Sequence, residues 1–258
     1  MIPVLEIKEA ARKFAVPPST IERDYAQNWL LAYLHPLPMA LKGGTGIRKV
    51  FFEGYRFSDD LDFTLFEPYD ARQLEDALHR ALDQVREASG IPFRDTVEML
   101  ETRSGVRATV RFQIIPMSAT IPIRIDLDIT DPENEDILLP VVERPVFHPY
   151  SDHLKATVRS YQCEEIMAEK IRALFERSRS RDLYDVWMLS RQIGKDAVAP
   201  ILVQKCARKS VTISPEHLAS RKETFRRAWE NSLRHQLRDL PEFDTVFNAV
   251  LNEVREYA

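Results

Sequence analysis

The segment KGGTGIRKVFFEGYRFSDDLD, residues 42–62, contains a glycine cluster followed by a pair of acids. Three of the chain's seven glycines lie within residues 43–46. Glycine costs backbone entropy, so a cluster is expected where φ is positive or the backbone approaches another group closely, and its N–H groups can bind an anion. Asp60 and Asp62 point to one side of a strand, roughly 6.6 Å apart at about 3.3 Å per residue. Such a loop beside paired carboxylates is what phosphoryl or nucleotidyl transfer requires.

The composition is that of an ordinary globular protein of 258 residues, 44% hydrophobic and 29% charged. This length allows one large or two small domains. No stretch approaches the roughly 20 apolar residues of a membrane span, and the N-terminus lacks the pattern of a secretory signal. Cys163 and Cys206 lack partners at metal-ligand spacing, so we expect reduced thiols in a cytoplasmic protein. The net charge of −4 means that any nucleic acid must bind a local patch.

Hydrophobic periodicity predicts a sheet followed by helices. The predicted helices are residues 4–35, interrupted at Pro17–Pro18, residues 71–89, and most of the chain from 164 onward, with breaks near Gly194 and Ser214–Pro215. The predicted strands are Phe51–Phe52, residues 61–66, and three alternating stretches within 93–130. We therefore predict a mixed α/β (α+β) protein with a sheet domain and N-terminal helices at 1–155 and a helical domain at 156–258.

A second acidic strand is predicted in IPIRIDLDIT, residues 121–130. One face is apolar, and Arg124, Asp126 and Asp128 lie on the other. If this strand neighbours residues 61–66, it adds a third carboxylate to the first two. Mg²⁺ prefers few carboxylates together with waters and substrate phosphates, and two such ions can hold both oxygens of an in-line displacement. A solvated sheet face without a metal remains the alternative for both strands.

Charges interrupt the helical pattern in QCEEIMAEKIRALFERSRSRDLYDVWML, residues 162–189. Lys170 lies beside an apolar stripe, so it either extends to water or has a fixed anionic partner. Asp182 and Asp185, three residues apart on one helix, repel each other unless a cation such as Lys170 or Arg181, or a ligand, lies between them. The alternative is a solvated helix start, where the helix dipole favours acids.

Taken together, these motifs resemble the AbiEii/AbiGii nucleotidyltransferase toxin family, which includes the MenT toxins. GGTGIRK resembles G-G-T-x-L-x-K, with Ile47 where leucine is usual, and RFSDDLDF resembles R-x-S-x-D-[LI]-D-F with Arg56 and Ser58. IRIDLDI is similar to the family's strand with an additional acid. EEIMAEKIRAL and RSRDLYDVWML resemble its lysine helix and R-D-x-x-D helix. The motifs occur in family order over residues 42–189, and the final 60 residues match none.

This resemblance implies a polymerase-β-like nucleotidyltransferase sheet domain followed by a helical C-terminal domain. It implies a toxin of a toxin–antitoxin or abortive-infection (phage defence) system, countered by an antitoxin protein. With Mg²⁺ (or Mn²⁺), it would transfer NMP from an NTP to RNA, with the tRNA 3′ end as the leading target, and thereby block translation.

The resemblance also suggests a role for each residue. The triphosphate would bind Gly43, Gly44 and Thr45, with Lys49 neutralising its outer phosphates and Ser58 supporting the loop or donating to a phosphate. Asp60, Asp62 and Asp126 would hold the metal, and Asp126 would position or deprotonate the attacking hydroxyl, with Asp128 as the alternative. Lys170 would contact the nucleotide phosphates, and Asp182 or Asp185 would orient Lys170 or the nucleotide.

Other functions use the same pattern. Nucleotidyl transfer to a protein or a small molecule needs the same phosphate and metal groups. A DNA-binding regulator is suggested by a helix-turn-helix-like pattern at residues 7–31, but Glu22 and Asp24 would face phosphates unfavourably. A scaffold without catalytic activity is a third alternative. An RNA-facing basic strip is a further hypothesis, set against a solvated helix face balanced by acids; its members would be Arg221, Lys222, Arg226, Arg227, Arg234 and Arg238.

Overall fold

The computed structural model describes residues 1–67, 70–129 and 137–258, which form two compact units. Unit 1 holds the described residues of 1–133 together with Val141–Tyr161. Unit 2 holds the described residues of 134–140 together with Gln162–Ala258. The proposed domain division at 155/156 stays a prediction. Within the described residues, no helix is long and apolar enough to cross a membrane.

Unit 1 is built on a mixed sheet whose described part has seven strands in the order β3-β4-β5-β2-β1-β7-β6. The central strand β2 pairs in parallel with β5 and antiparallel with β1. The strands are β1 Met39–Lys42, β2 Asp60–Leu65, β3 Glu98–Glu101, β4 Gly105–Phe112, β5 Ile121–Ile129, β6 Val142–Pro145 and β7 Thr157–Ser160.

One face of this sheet is covered by helices. These are α1 Val4–Phe14, α2 Pro18–Leu34 and α4 Ala71–Ser89, and the short helix α3 Gly43–Gly46 follows β1. Alternation places the apolar residues of β2 and β5, such as Leu61 and Ile125, in the core with these helices. Helix α4 begins where Asp70 accepts hydrogen bonds from the first backbone N–H groups and ends at Gly90, whose φ of 73° terminates it.

Most predicted elements of unit 1 are present. Helices α1, α2 and α4 and the strands β2, β3, β4 and β5 are confirmed, although residue 130 lies outside the described residues. The predicted strand at Phe51–Phe52 is wrong. A π-helical turn, Ile47–Phe51, continues α3, and Phe52 N–H closes it on the Ile47 carbonyl at 2.9 Å. This turn buries Ile47 and Val50, so packing favours the helical conformation. The sequence pattern did not predict β1, β6 or β7.

Unit 2 is helical. Its helices are α5 Cys163–Glu176, α6 Ser180–Leu189, α7 Lys195–Arg208, α8 Pro215–Ser220, α9 Lys222–Leu233 and α10 Phe243–Arg255. The predicted breaks are confirmed: Gly194 precedes α7, and the Ser214 side chain caps the N-terminus of α8. Helix α5 packs on α6 and α7, while aromatic contacts such as Trp229 with Phe243 join α9 to α10.

A buried charge cluster attaches α2 to the segment that follows β1. The carboxylate of Asp24 accepts from Arg48 Nε at 2.6 Å and lies 2.6 Å from Lys49 Nζ. Tyr150 donates its hydroxyl to the other carboxylate oxygen at 2.7 Å. Burial raises the pKa of Asp24, but the charges of Arg48 and Lys49 lower it by more, so the net pKa is below the usual value.

We expect Asp24→Asn to lower the free energy of unfolding by about 3–5 kcal/mol, because two cations would then be buried without their counter-charge. Urea denaturation at pH 7 measures this loss. The control is Asp83→Asn, since the side chain of Asp83 is 71% exposed and pairs with Arg86 at the surface. That change should cost about 1 kcal/mol or less. Equal losses in the two variants would contradict a structural role for the buried cluster.

The same cluster predicts a pH dependence. A carboxyl whose folded pKa is lowered stabilises the fold fully above its unfolded pKa, about 3.9, and this contribution is lost as the pH falls further. The stability difference between the wild-type protein and Asp24→Asn should therefore be fully present at about pH 5. It should narrow when unfolding is measured at about pH 3.

Candidate active site

Four charged side chains form a row across one face of the sheet in unit 1. Lys42 on β1 lies opposite Asp62 on β2, Asp62 lies opposite Asp126 on β5, and Asp126 lies opposite Arg107 on β4. Residues directly opposite each other on paired strands project to the same face, and neighbouring strands are about 4.8 Å apart. The structure therefore brings together Asp62 and Asp126, while Asp128 lies opposite Thr64.

The carboxylates on this face lie against cations from neighbouring strands. Arg107 binds Asp126 through two nitrogens, with Nε–Oδ1 at 2.5 Å and Nη2–Oδ2 at 3.1 Å. Lys42 Nζ lies 2.7 Å from Asp128 Oδ2, and Arg124 Nη1 lies 3.4 Å from Asp60 Oδ1. Hydrogen bonding to Asp126 and its charge, and then the charges of Asp60 and Asp62, raise the pKa of Arg107. The face therefore carries several carboxylates, and Asp60, Asp126 and Asp128 are each paired with a cation.

These carboxylates suit a divalent cation shared with a substrate. Among the described residues, no three His, Cys, Asp or Glu side chains converge closely enough to hold an ion by themselves. Mg²⁺ in nucleotide sites takes one or two carboxylates and completes its octahedron with waters and phosphate oxygens. Asp60 and Asp62 are half-buried and lie on one face, which fits that mode. The residues therefore fit Mg²⁺ or Mn²⁺ bound together with an NTP.

The glycine cluster brings the backbone against the acidic face. Gly43 has a φ of +67°, and a Cβ there would lie 2.5 Å from Asp62 Oδ2. A Cβ on Gly44 would lie 2.5 Å from Nη2 of Arg56, a buried side chain. A Cβ at either position would displace the end of the neighbouring side chain, and Gly43 is in addition favoured by its left-handed backbone. The loop and Asp62 are in contact, as a phosphate site beside a metal site requires.

Three predicted loop residues have other contacts. The buried hydroxyl of Thr45 donates to the carbonyl of Asp60, which positions the start of β2. Ser58 is buried, and its carbonyl accepts from Gln27 at 3.1 Å. Lys49 differs from the prediction, since its side chain is 1% exposed and its ammonium is bound to Asp24. Burial lowers its pKa to about 8. Because its charge is directed into the core, we withdraw its assignment to the outer phosphates.

In unit 2, the lysine and both acids singled out from the sequence form one cluster. Lys170 Nζ lies 2.7 Å from Asp182 Oδ1 and 2.8 Å from Asp185 Oδ2. Arg177 Nε also reaches Asp182, at 2.9 Å. Burial raises the pKa of Asp182, but Lys170 and Arg177 lower it by more, so its net pKa is below the usual value. Lys170 is oriented by the two acids, in the geometry expected of a positioned cation.

A second buried lysine in unit 2 was not anticipated. Lys205 Nζ lies 2.7 Å from Glu165 Oε1 and 2.9 Å from Glu169 Oε1. Glu165 also accepts from the backbone N–H groups of Leu138 and Leu139, both at 2.8 Å. Like Lys170, Lys205 is therefore buried against two carboxylates of unit 2.

Two sequence hypotheses find little support. Helix α2 would be the recognition helix if the protein were a DNA-binding regulator, but this helix is mostly buried. Its Glu22 accepts hydrogen bonds from the N–H groups of Ile114 and Ile115, so the helix cannot enter a DNA groove. In the basic strip, Lys222 and Arg226 both pair with Asp244 at 2.6 Å, and Arg226 also pairs with Glu223. These two cations are neutralised within the unit.

Arg107 is a site residue that the sequence analysis missed. The alternation in GVRATVRF does place Arg107, Thr109 and Arg111 on one face of β4. Nothing in that pattern shows that β4 pairs with β5, with Arg107 opposite Asp126. The signal is therefore visible only once the strand order is known.

Residues 29–249 match the family model described as nucleotidyl transferase AbiEii toxin, type IV TA system. The chain belongs to this family. It is therefore a nucleotidyltransferase toxin of a type IV toxin–antitoxin system, which confirms the resemblance and the predicted enzyme class. Comparison with curated protein sequences gives no match.

Solved structures show the fold of this AbiEii chain. MenT4, nucleotidyltransferase toxin Rv2826c from Mycobacterium tuberculosis H37Rv, is 17% identical and aligns over 98% of this chain and 89% of its own, with a TM-score of 0.69. JHP933 from Helicobacter pylori is 17% identical over 94% of this chain and 93% of its own, with a TM-score of 0.64. The predicted fold class, a sheet region followed by a helical region, is confirmed.

The contact between Gly43 and Asp62 predicts that Gly43→Ala loses nucleotidyl transfer by about 100-fold, because the added methyl group would displace the Asp62 carboxylate from its position against the loop. The matched control is Gly54→Ala. Gly54 also has a positive φ, of +79°, but nothing lies within 4 Å of its Cβ position. It should lose about 1–2 kcal/mol of stability and keep its activity. Transfer assays below the melting temperatures of both variants separate the loss of activity from the loss of stability. Equal activity in the two variants would contradict the assignment of Gly43 to the active site.

Proposed function

We propose that this AbiEii toxin transfers NMP from an NTP to RNA, at the 3′ end of tRNA, and thereby blocks translation until its antitoxin intervenes. Family membership supports the nucleotidyltransferase and toxin parts of this proposal. The identity of the acceptor, the 3′ end of tRNA, is what the proposal adds to family membership. A 3′-terminal hydroxyl is a nucleophile of the kind that such an enzyme needs, and modification of that end of tRNA would prevent aminoacylation.

One observation carries the site assignment: the backbone of Gly43 lies against the carboxylate of Asp62, which lies opposite Asp126. A nucleotide whose phosphates bind the N–H groups of this loop would have its reacting phosphorus beside both acids. In the reaction, the acceptor hydroxyl oxygen bonds to the α-phosphorus, the bond to the β-phosphate oxygen breaks, and pyrophosphate leaves. We assign acceptance of the hydroxyl proton to the Asp126 carboxylate.

Asp60 and Asp62, with Asp126, would hold Mg²⁺ or Mn²⁺. The bound ion would supply charge neutralisation of the phosphates and stabilisation of the leaving pyrophosphate. The protein's own contribution is positional: Thr45 holds the backbone of Asp60, and Gly43 and Gly44 let the loop approach Asp62 and Arg56 closely. Such positioning and electrostatic stabilisation need no covalent nucleophile.

The proposed role of Lys170 is to contact the nucleotide phosphates, and Asp182 and Asp185 orient its ammonium. Its ammonium is 2.7–2.8 Å from both acids, so little side-chain entropy remains to be lost on binding a further anion. A lysine is a point charge, and a planar guanidinium would not reproduce its contacts.

Asp126→Asn should lower the transfer of labelled NMP to tRNA by about 100-fold or more, because the proposed role of Asp126, which lies opposite Asp62, is to accept the proton of the attacking hydroxyl. Asp128→Asn is the matched control, since Asp128 lies on the same face of β5 but binds Lys42 and Ser104. It should lose less than about tenfold.

The measurement supplies each labelled NTP separately with total cellular RNA. Label in RNA of tRNA size supports the proposed acceptor, and its loss after periodate oxidation of the RNA assigns the 3′ end. Label in protein or in a small molecule would contradict the RNA acceptor and identify that class of molecule as the acceptor instead. If Asp128→Asn is the more damaging change, the roles of the two acids must be exchanged.

Lys170→Met should lower the rate of nucleotidyl transfer by about 100-fold or more, and this loss should exceed any caused by the lower stability of the variant. Lys205→Met is the control, because Lys205 is also buried against two carboxylates in unit 2. Both variants should lose stability, since each leaves buried carboxylates without their cation. Assayed where both are folded, only Lys170→Met should lose activity, and Lys170→Arg should not restore it. Comparable activities for the two methionine variants would remove Lys170 from the site.

A further inference from the structure

Arg107 occupies a special position among the cations of the acidic face. It lies within the row of directly opposed residues, next to Asp126 and two strands away from Asp62. It binds both oxygens of Asp126, whereas Arg124 reaches Asp60 through a single nitrogen at 3.4 Å. Its side chain is 39% exposed, so the guanidinium can leave this carboxylate without disturbing the core.

Charge balance shows what Arg107 does for the acids. Among the described residues, three carboxylates of this face, Asp60, Asp126 and Asp128, each pair with a cation, which is Arg124, Arg107 and Lys42 respectively. A divalent cation added to this set makes it net positive. Because like charges close together are unfavourable, a metal ion and the Arg107 guanidinium compete for the same carboxylates.

The displaced guanidinium of Arg107 can bind a phosphate instead. Arginine presents a rigid fork of donors that matches a phosphate as well as it matches a carboxylate. A triphosphate bound at the glycine loop would bring its negative charges to the face on which Arg107 lies. The excess positive charge created by metal binding would then be neutralised by the nucleotide.

We propose that Arg107 is an internal counter-cation that holds Asp126 until the metal and nucleotide bind, and that it then transfers to the triphosphate. This inference rests on the proposed function, because it assumes the metal site at Asp60, Asp62 and Asp126. It makes Arg107 a residue that couples metal binding to nucleotide binding: the ion releases the guanidinium, and the phosphates receive it.

The test compares Arg107→Met with Arg111→Met. Arg111 lies on the same face of β4, is 41% exposed, and binds both oxygens of Glu98 at 3.0 and 3.2 Å. The probes are Mn²⁺, followed by electron paramagnetic resonance, and inorganic tripolyphosphate, which needs no choice of base. Without phosphate, Arg107→Met should bind Mn²⁺ about fivefold more tightly than wild type, because a competing cation at a partly exposed site is gone.

With Mn²⁺ saturating, Arg107→Met should bind tripolyphosphate about tenfold more weakly, because a charge-assisted contact is lost. Arg111→Met should match wild type in both measurements. Arg107→Lys should keep Mn²⁺ affinity within about twofold of wild type, since the charge is retained. Unchanged or weaker Mn²⁺ binding in Arg107→Met, or the same shifts in Arg111→Met, would overturn the inference.

Asp62→Asn separates this inference from the function on which it rests. If Asp62→Asn loses Mn²⁺ binding while Arg107→Met binds like wild type, the metal site stands and only the coupling role of Arg107 fails. If Asp62→Asn binds Mn²⁺ as well as wild type does, the proposed site itself is wrong, and the inference falls with it.

Discussion

The parallel pairing of β2 with β5 is the constraint on which the candidate site depends. Direct opposition of Asp62 and Asp126 follows from this register, and the same register places Leu61 and Ile125 together in the core. A slip by one residue would exchange the two faces and bury the acids. The hydrophobic effect on one face therefore determines the positions of the carboxylates on the other. The stability of the core and the geometry of the site are two consequences of one register.

Buried charge gives the glycine loop a firm support. The segment after β1 is helical, and its cations Arg48 and Lys49 are held by Asp24 of α2. Such pairs add little net stability, but the loss of one partner is costly, so they specify a single arrangement. This explains how a loop with little side-chain volume of its own can hold Gly43 against Asp62. The ion pair of Lys49 with Asp24 therefore fixes the segment that follows the glycine loop.

Unit 2 applies the same principle twice, since Lys170 and Lys205 are each held by two carboxylates. Helical spacing alone does not distinguish a lysine that serves the fold from one that serves the chemistry. The resemblance to the AbiEii family singled out Lys170, and its position in a matching motif, not its burial, separates it from Lys205. Structure and motif therefore contribute different evidence, and the paired substitutions use both.

Local pattern in the sequence determined the helices α1, α2 and α4, the alternation of β2 and β5, and the family to which the chain belongs, because periodicity and short motifs are properties of neighbouring residues. It failed at Phe51–Phe52, where packing continued a helix, and at Lys49, whose motif position did not show that its charge faces Asp24. Only the tertiary structure decided that Asp126, and not Asp128, lies opposite Asp62, and that Arg107 holds it. Strand order and register join residues far apart in the chain, so no local pattern can contain them.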